Sequence, residues 1–173
     1  MRCVTDTGPS VWLDKVGYLD VLPDLYDIIF VPESVFRELS NLNKKHYFKD
    51  EALNFVEKNF TSIKLDKDEK RRSHRLAKRW TRKYDADETD AQVFIAYRDY
   101  VRADEMLFAN KGAERIFGHH GNARDIIKLY ELAQKVGLWK REESATYVQK
   151  LIEVNYRTPF ARQVLGQIVS GAV

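Results

Sequence analysis

The sequence predicts an α/β protein: a three-layer α/β/α domain with a central, mostly parallel sheet of four or five strands and extra helices after the last strand. Three observations carry that expectation. Residues 28–31 and 106–109 are short continuous apolar runs, the pattern of strands buried on both faces. Amphipathic helical stretches separate the strand candidates, and strands alternating with helices form βαβ units with right-handed crossovers. The chain also opens on Cys3-Val4-Thr5-Asp6-Thr7-Gly8-Pro9-Ser10, which reads as a buried strand, a sharp turn and a helix start. Pro9 is tolerated there because the first helical turn has no use for its missing N–H.

Each element follows from its local pattern. The first helix carries Val11, Trp12, Leu13 and Val16 and can end at Gly17, and a second helical pattern runs over 18–25. After the strand at 28–31, Pro32-Glu33-Ser34 opens a helix with Val35, Phe36 and Leu39 facing inward and Glu38 beside them. Residues 41–49 are polar and read as a loop, 50–60 as a helix, and 61–65 as a short alternating strand. The basic stretch 67–83 reads as a helix whose thin apolar stripe is Leu76, Ala77 and Trp80. Asp87 or Thr89 can cap the next helix, which bears Ala91, Val93, Phe94 and Ile95. The strand at 106–109 ends at Asn110, and Lys111-Gly112 leads into a short helix with Ile116 and Phe117. Gly118-His119-His120-Gly121 breaks the chain, and a long helix is expected from about 122 to 136, closed by Gly137. Two further helical stretches lie near 142–154 and 159–169. No internal repeat or linker interrupts the chain, so one domain over 1–173 is expected, with a C-terminal helical extension over about 122–173.

Composition narrows the class of function. Hydrophobic residues make up 44% and charged ones 32%, a globular balance in a chain of 173 residues. No apolar run approaches the length of a bilayer span and no signal-peptide pattern opens the chain. Cys3 is the single cysteine, which excludes an internal disulfide and a cysteine-based zinc cluster. Together these predict a cytoplasmic protein with no membrane association. The net charge of +3 says little, but its distribution says more. Between Lys67 and Lys83 nine Lys and Arg residues face only Asp68 and Glu69. Such a stripe attracts phosphate backbones, and Arg71, Arg72, Arg75 and Arg79 are the candidate nucleic-acid contacts. The plain alternative is a solvated helix face.

Asp6 closes the first strand, and in open α/β sheets ligands sit at the carboxyl edge of the strands. Glu38, Asp90 and Asn110 reach the same edge if the sheet is parallel. Three carboxylates gathered there repel one another and raise their own pKa values unless a cation sits between them. Oxygen donors suit Mg²⁺ or Mn²⁺, and such ions activate phosphoryl oxygens and water. The same residues admit other readings. Asp6 can simply cap the first helix. The Asp-Thr-Gly triplet also occurs in aspartic proteases, but those are built of strands, against the helical periodicity here. The glycine pattern of a dinucleotide or phosphate loop is absent. A haloacid-dehalogenase phosphatase needs a second Asp where Gly8 stands, and Asp68-Glu69-Lys70 imitates a restriction-nuclease motif with no strand around it.

The ordered set Val4-Thr5-Asp6-Thr7-Gly8, then Val31-Pro32-Glu33-Ser34-Val35-Phe36-Arg37-Glu38-Leu39, then Thr89-Asp90-Ala91 resembles the PIN-domain family of metal-dependent ribonucleases, over roughly residues 2 to 117. The resemblance implies a divalent-metal-dependent endoribonuclease that cleaves single-stranded RNA, with Mg²⁺ or Mn²⁺ held by Asp6, Glu38 and Asp90. Asn110 would finish the site, Thr7 or Ser10 would orient a ligand or the attacking water, and Asp85, Asp87 and Glu88 are alternates should the helix begin earlier. The family includes toxin nucleases, so an antitoxin or other protein partner and a homodimer are admitted by analogy. Two departures stand out. Asn110, followed by Lys111, replaces a common fourth acid, which points to a weaker metal site or to an inactive PIN-like module that binds RNA or a partner. The stretch 115–121 is too short for the family's fifth strand, and it contains His119 and His120.

Overall fold

Burial of Cys3, Val4 and Thr5 makes the first strand the centre of the sheet. The computed structural model describes residues 1–84, 87–117 and 122–171. In chain order the elements are β1 (Arg2–Thr5), α1 (Thr7–Val16), α2 (Val21–Leu25), β2 (Ile28–Pro32), α3 (Glu33–Lys44), α4 (Asp50–Asn59) and β3 (Phe60–Ile63). Then follow α5 (Lys67–Tyr84), α6 (Glu88–Ile95), a π-helical turn (Ala96–Tyr100), β4 (Glu105–Phe108), α7 (Lys111–Phe117) and β5 (Ala123–Asp125). A 3₁₀ turn (Ile126–Lys128), α8 (Leu129–Lys135), α9 (Arg141–Glu153) and α10 (Thr158–Ser170) complete the chain.

Among the described residues the sheet has five strands in the order β3-β2-β1-β4-β5, and every pairing is parallel. The chain moves outward from β1 to β2 and β3, then returns past β1 to β4 and β5. Right-handed crossovers therefore place the helices of the two halves on opposite faces. The packing agrees: α1 lies against α3 and α9, while α5 lies against α6 and α7. Edge-to-face contact of Trp80 with Phe94 (5.4 Å) and stacking of Phe94 on Phe117 (6.1 Å) tie α5, α6 and α7 together. The reversal of strand order falls between β1 and β4, where the two crossovers part and leave a crevice at the carboxyl edge.

Several expected boundaries move, each for a local reason. Instead of one long helix over 122–136, the chain forms β5, the 3₁₀ turn and the shorter α8. β5 pairs Ala123, Arg124 and Asp125 with Met106, Leu107 and Phe108, so the fifth strand exists but lies beyond the stretch 115–121. His119 and His120 lie outside the described residues. α3 continues past Asn41 to Lys44, because Leu42 packs on the core and the Asn43 amide donates to the Phe48 carbonyl and the Asp50 carboxylate. The third strand is Phe60–Ile63, with Leu65 buried just outside it. α2 is shorter than the helical pattern suggested, starting at Val21. No helix among the described residues is long and apolar enough to cross a membrane.

Candidate active site

The turn after β1 is built around Gly8. A Cβ there would lie 3.2 Å from the Ala109 Cβ and 3.4 Å from Asp6 Oδ1. Glycine therefore lets the start of α1 approach the residue after β4 without displacing it, whereas a larger residue would have to push Ala109 back by a few tenths of an ångström. Asp6 occupies the N-cap position of α1, yet its side chain makes no capping hydrogen bond. It is only 4% exposed, Oδ2 accepts from the Asn110 amide at 3.3 Å, and Oδ1 has no partner. The nearby Gly8 amide favours the charged carboxylate without completing a cap hydrogen bond, so capping accounts for this buried acid only in part. Burial pushes its pKa well up, the negative charges of Asp90 and Glu38 push it further, and the Gly8 amide pulls partly the other way.

Glu38 comes from α3 and is half-buried. Its two carboxylate oxygens accept from the hydroxyls of Thr7 (2.5 Å) and Thr89. Asp90 stands in the first turn of α6, where it and Asp87 form a reciprocal capping box. The Asp90 amide donates to Asp87 Oδ1 and the Asp87 amide donates to Asp90 Oδ2, each at 3.0 Å. Burial is the main cause that raises the Asp90 carboxyl to about 6, tempered by its hydrogen bonds to the Asp87 amide and Asn110. Asn110 caps α7: its Oδ1 accepts from the Ala113 amide at 2.5 Å. That bond fixes which way the side-chain amide points, so its NH₂ faces the acids and its carbonyl faces the helix.

These residues line one small cleft of about 90 Å³, formed by Asp6, Thr7, Gly8, Glu38, Asp87, Thr89, Asp90 and Asn110. The structure therefore gathers Asp6, Glu38, Asp90, Asn110 and Thr7 and leaves two candidates elsewhere. Ser10 is fully buried on α1 and does not line the cleft. Glu88 turns outward, against His74 at 3.3 Å and Gln92 at 3.4 Å. Two cleft residues were undervalued in the sequence: Thr89, read as a cap, clamps Glu38, and Asp87 adds a further carboxylate. The spacing of Asp87 and Asp90 is the signal for a capping box; nothing local announces that the box also borders a cleft. Asp85 lies outside the described residues.

A family model described as a PIN domain matches residues 2–106. The chain belongs to the PIN-domain family. The matched region contains Asp6, Glu38 and Asp90, whereas Asn110 and the helices after it lie beyond it. No curated protein and no solved structure matches. PIN domains are generally nucleases and typically use divalent metals. The donors in this PIN domain suit a hard divalent cation chemically, being carboxylate oxygens with one buried oxygen left unpaired. They are not gathered into a finished ligand set: among the described residues no three His, Cys, Asp or Glu side chains are grouped to hold an ion. The hydroxyls of Thr7 and Thr89 and the amide of Asn110 occupy several of the oxygens instead.

Proposed function

We propose that this PIN domain is a divalent-metal-dependent endoribonuclease that hydrolyses phosphodiester bonds of single-stranded RNA. The observation that carries the reading is Asp6, whose buried, unpaired Oδ1 borders a cleft shared with Glu38 and Asp90. These three side chains would hold Mg²⁺ or Mn²⁺, directly or through water. When bound, such an ion polarises the attacked phosphoryl group and acidifies water. The protein's own groups do the positioning. Thr7 and Thr89 hold both oxygens of Glu38, the α6 capping box holds Asp90, and the Asn110 amide holds Asp6. Asp6→Asn, Glu38→Gln and Asp90→Asn should each abolish metal-dependent cleavage of a single-stranded RNA while leaving the fold intact. Retention of full cleavage by all three variants would sink the assignment. An antitoxin or other protein partner and a homodimer belong to the same proposal, and light scattering of the purified chain tests the latter.

Asn110 favours a second reading, a PIN module that binds RNA or a partner with little or no cleavage. Its NH₂ donates to Asp6 where a further acid would supply charge for a cation. Asn110→Asp should lower the melting temperature of the metal-free protein and enlarge the stabilisation by Mn²⁺. At a free-ion concentration near a hundred times the dissociation constant that stabilisation is about 2.7 kcal/mol, or roughly 5–10 °C for a domain of this size. A shift in the Asp variant but none in the natural chain supports the second reading. The absence of any shift in either protein counts against metal binding altogether.

A further inference from the structure

Beside α5 lies an open groove of about 950 Å³, far larger than the acidic cleft. Its cations are Lys64, Lys67, Lys70, Arg71 and Arg75. Four of them recur along α5 at spacings of one, three and four, so they form one face of the helix, and Lys64 joins them from the residue after β3. The two acids that line the groove are already engaged. Asp66 caps α5 by accepting from the amides of Asp68 and Glu69, both at 2.8 Å, and Glu88 is held against His74 and Gln92. Among the described residues Lys64, Lys67 and Arg75 make no ion pair, Lys70 meets Glu33 only at 3.8 Å, and Arg71 meets Asp68 only at 3.5 Å on an exposed edge.

The groove also adjoins the acids. Lys64 follows a strand of the parallel sheet and so stands at the same carboxyl edge as Asp6 and Asn110. Glu88 lines the groove, while its neighbours Asp87 and Thr89 line the cleft. A cavity of about 250 Å³, bordered by Lys70, Glu88 and Arg37, lies against the groove and reaches the residue next to Glu38.

Resting on the ribonuclease reading above, we propose that this groove binds the phosphate backbone of the RNA strand that enters the acidic cleft. The structure sorts the basic residues accordingly. Arg71 and Arg75 face the groove, whereas Arg72 is bound to Asp99 at 2.8 Å and holds α5 to the π-helical turn. Arg79 does not line it. No Phe, Tyr or Trp side chain lines the groove among the described residues, and its one imidazole, His74, is held against Glu88, so it offers mainly charge and supplies affinity rather than base preference.

The test uses the Asp6→Asn chain and a short fluorescein-labelled oligouridylate, with affinity measured over a range of salt. Replacing Lys67, Arg71 and Arg75 together by Gln should flatten the salt dependence by roughly two units of slope, because each single-strand phosphate contact contributes about 0.7. Arg79→Gln should leave the slope unchanged. An unchanged slope in the triple variant, or an equal loss in Arg79→Gln, overturns the groove assignment. Binding of an oligoglutamate in place of the RNA also overturns it and points to an acidic protein segment as the occupant. Cleavage by the natural chain is measured in parallel. If RNA is cut but the triple variant keeps its slope, the groove is wrong and the ribonuclease reading stands. If RNA is neither bound nor cut, both fall.

Discussion

Asp90, with its carboxyl near 6, and Asp6, raised well above the ordinary carboxylate range, make the acidic cleft sensitive to pH in a direction set by the sign of those shifts. Both folded-state values are raised, so the folded protein holds protons that the unfolded chain has released. In chelator, stability should therefore rise as the pH falls from about 7 to about 5, and Asp90 alone contributes about 1 kcal/mol of that rise. Asp90→Asn should flatten that rise in urea titrations. A chelated protein that loses stability steadily over this window contradicts the placement. On the proposed metal-dependent reading a divalent ion reverses the trend, because it would need the deprotonated carboxylates. The acids themselves were readable from the chain, since Asp6 ends an apolar run, Glu38 lies one turn beyond Ser34 in the helix after the second strand, and Asp90 stands in the first turn of α6. The direction of the Asn110 amide was not readable. It depends on the Ala113 amide, which becomes a donor to it only once α7 has formed.

Among the elements, those with unambiguous periodicity were legible: α1, α4, α5, α9 and α10 lie close to where their apolar spacing put them. β5 was not. It is three residues long, and the Ile126, Ile127, Leu129, Tyr130 and Leu132 that follow mimic one helical face. What makes it a strand is distant in sequence. Asp125 caps the 3₁₀ turn through the Ile127 amide at 2.9 Å and is bound by the Tyr156 hydroxyl and the Arg157 guanidinium. Arg157 also grips Glu114 of α7 at 2.5 Å, from a left-handed backbone position at φ 43°. One side chain from the start of α10 thus fastens β5 and the helix that Asn110 caps. Arg157→Gln leaves Asp125 buried without its cation, and about 3 kcal/mol should be lost in urea unfolding. A loss below about 1 kcal/mol would mean that Tyr156 and the Ile127 amide suffice for Asp125.

On the scale of the whole molecule, the C-terminal helices share the core of the matched PIN region. Trp12 of α1 meets Tyr156 at 5.0 Å, and Tyr18 meets Trp139 at 5.3 Å and Tyr147 at 5.1 Å. The Tyr147 hydroxyl donates to the Ile126 carbonyl at 2.6 Å, and one cluster of buried side chains runs from Cys3 to Ile168. Tryptophan fluorescence, which samples Trp12, Trp80 and Trp139, should therefore change in the same single transition as helical circular dichroism. Two separated transitions would mean that the extension folds by itself. The lone thiol of Cys3 lies in the same core, fully buried in β1 between β2 and β4, with its pKa raised first by burial and then by Glu105. A thiol reagent can reach it only when the middle strand leaves its neighbours, so labelling in native buffer counts openings of the whole sheet. An ion that binds only the closed form makes those openings rarer by one plus the ratio of its free concentration to its dissociation constant. Cys3 thus gives the proposed metal site a gauge within the chain itself, read from the colour of a released chromophore with no RNA in the tube.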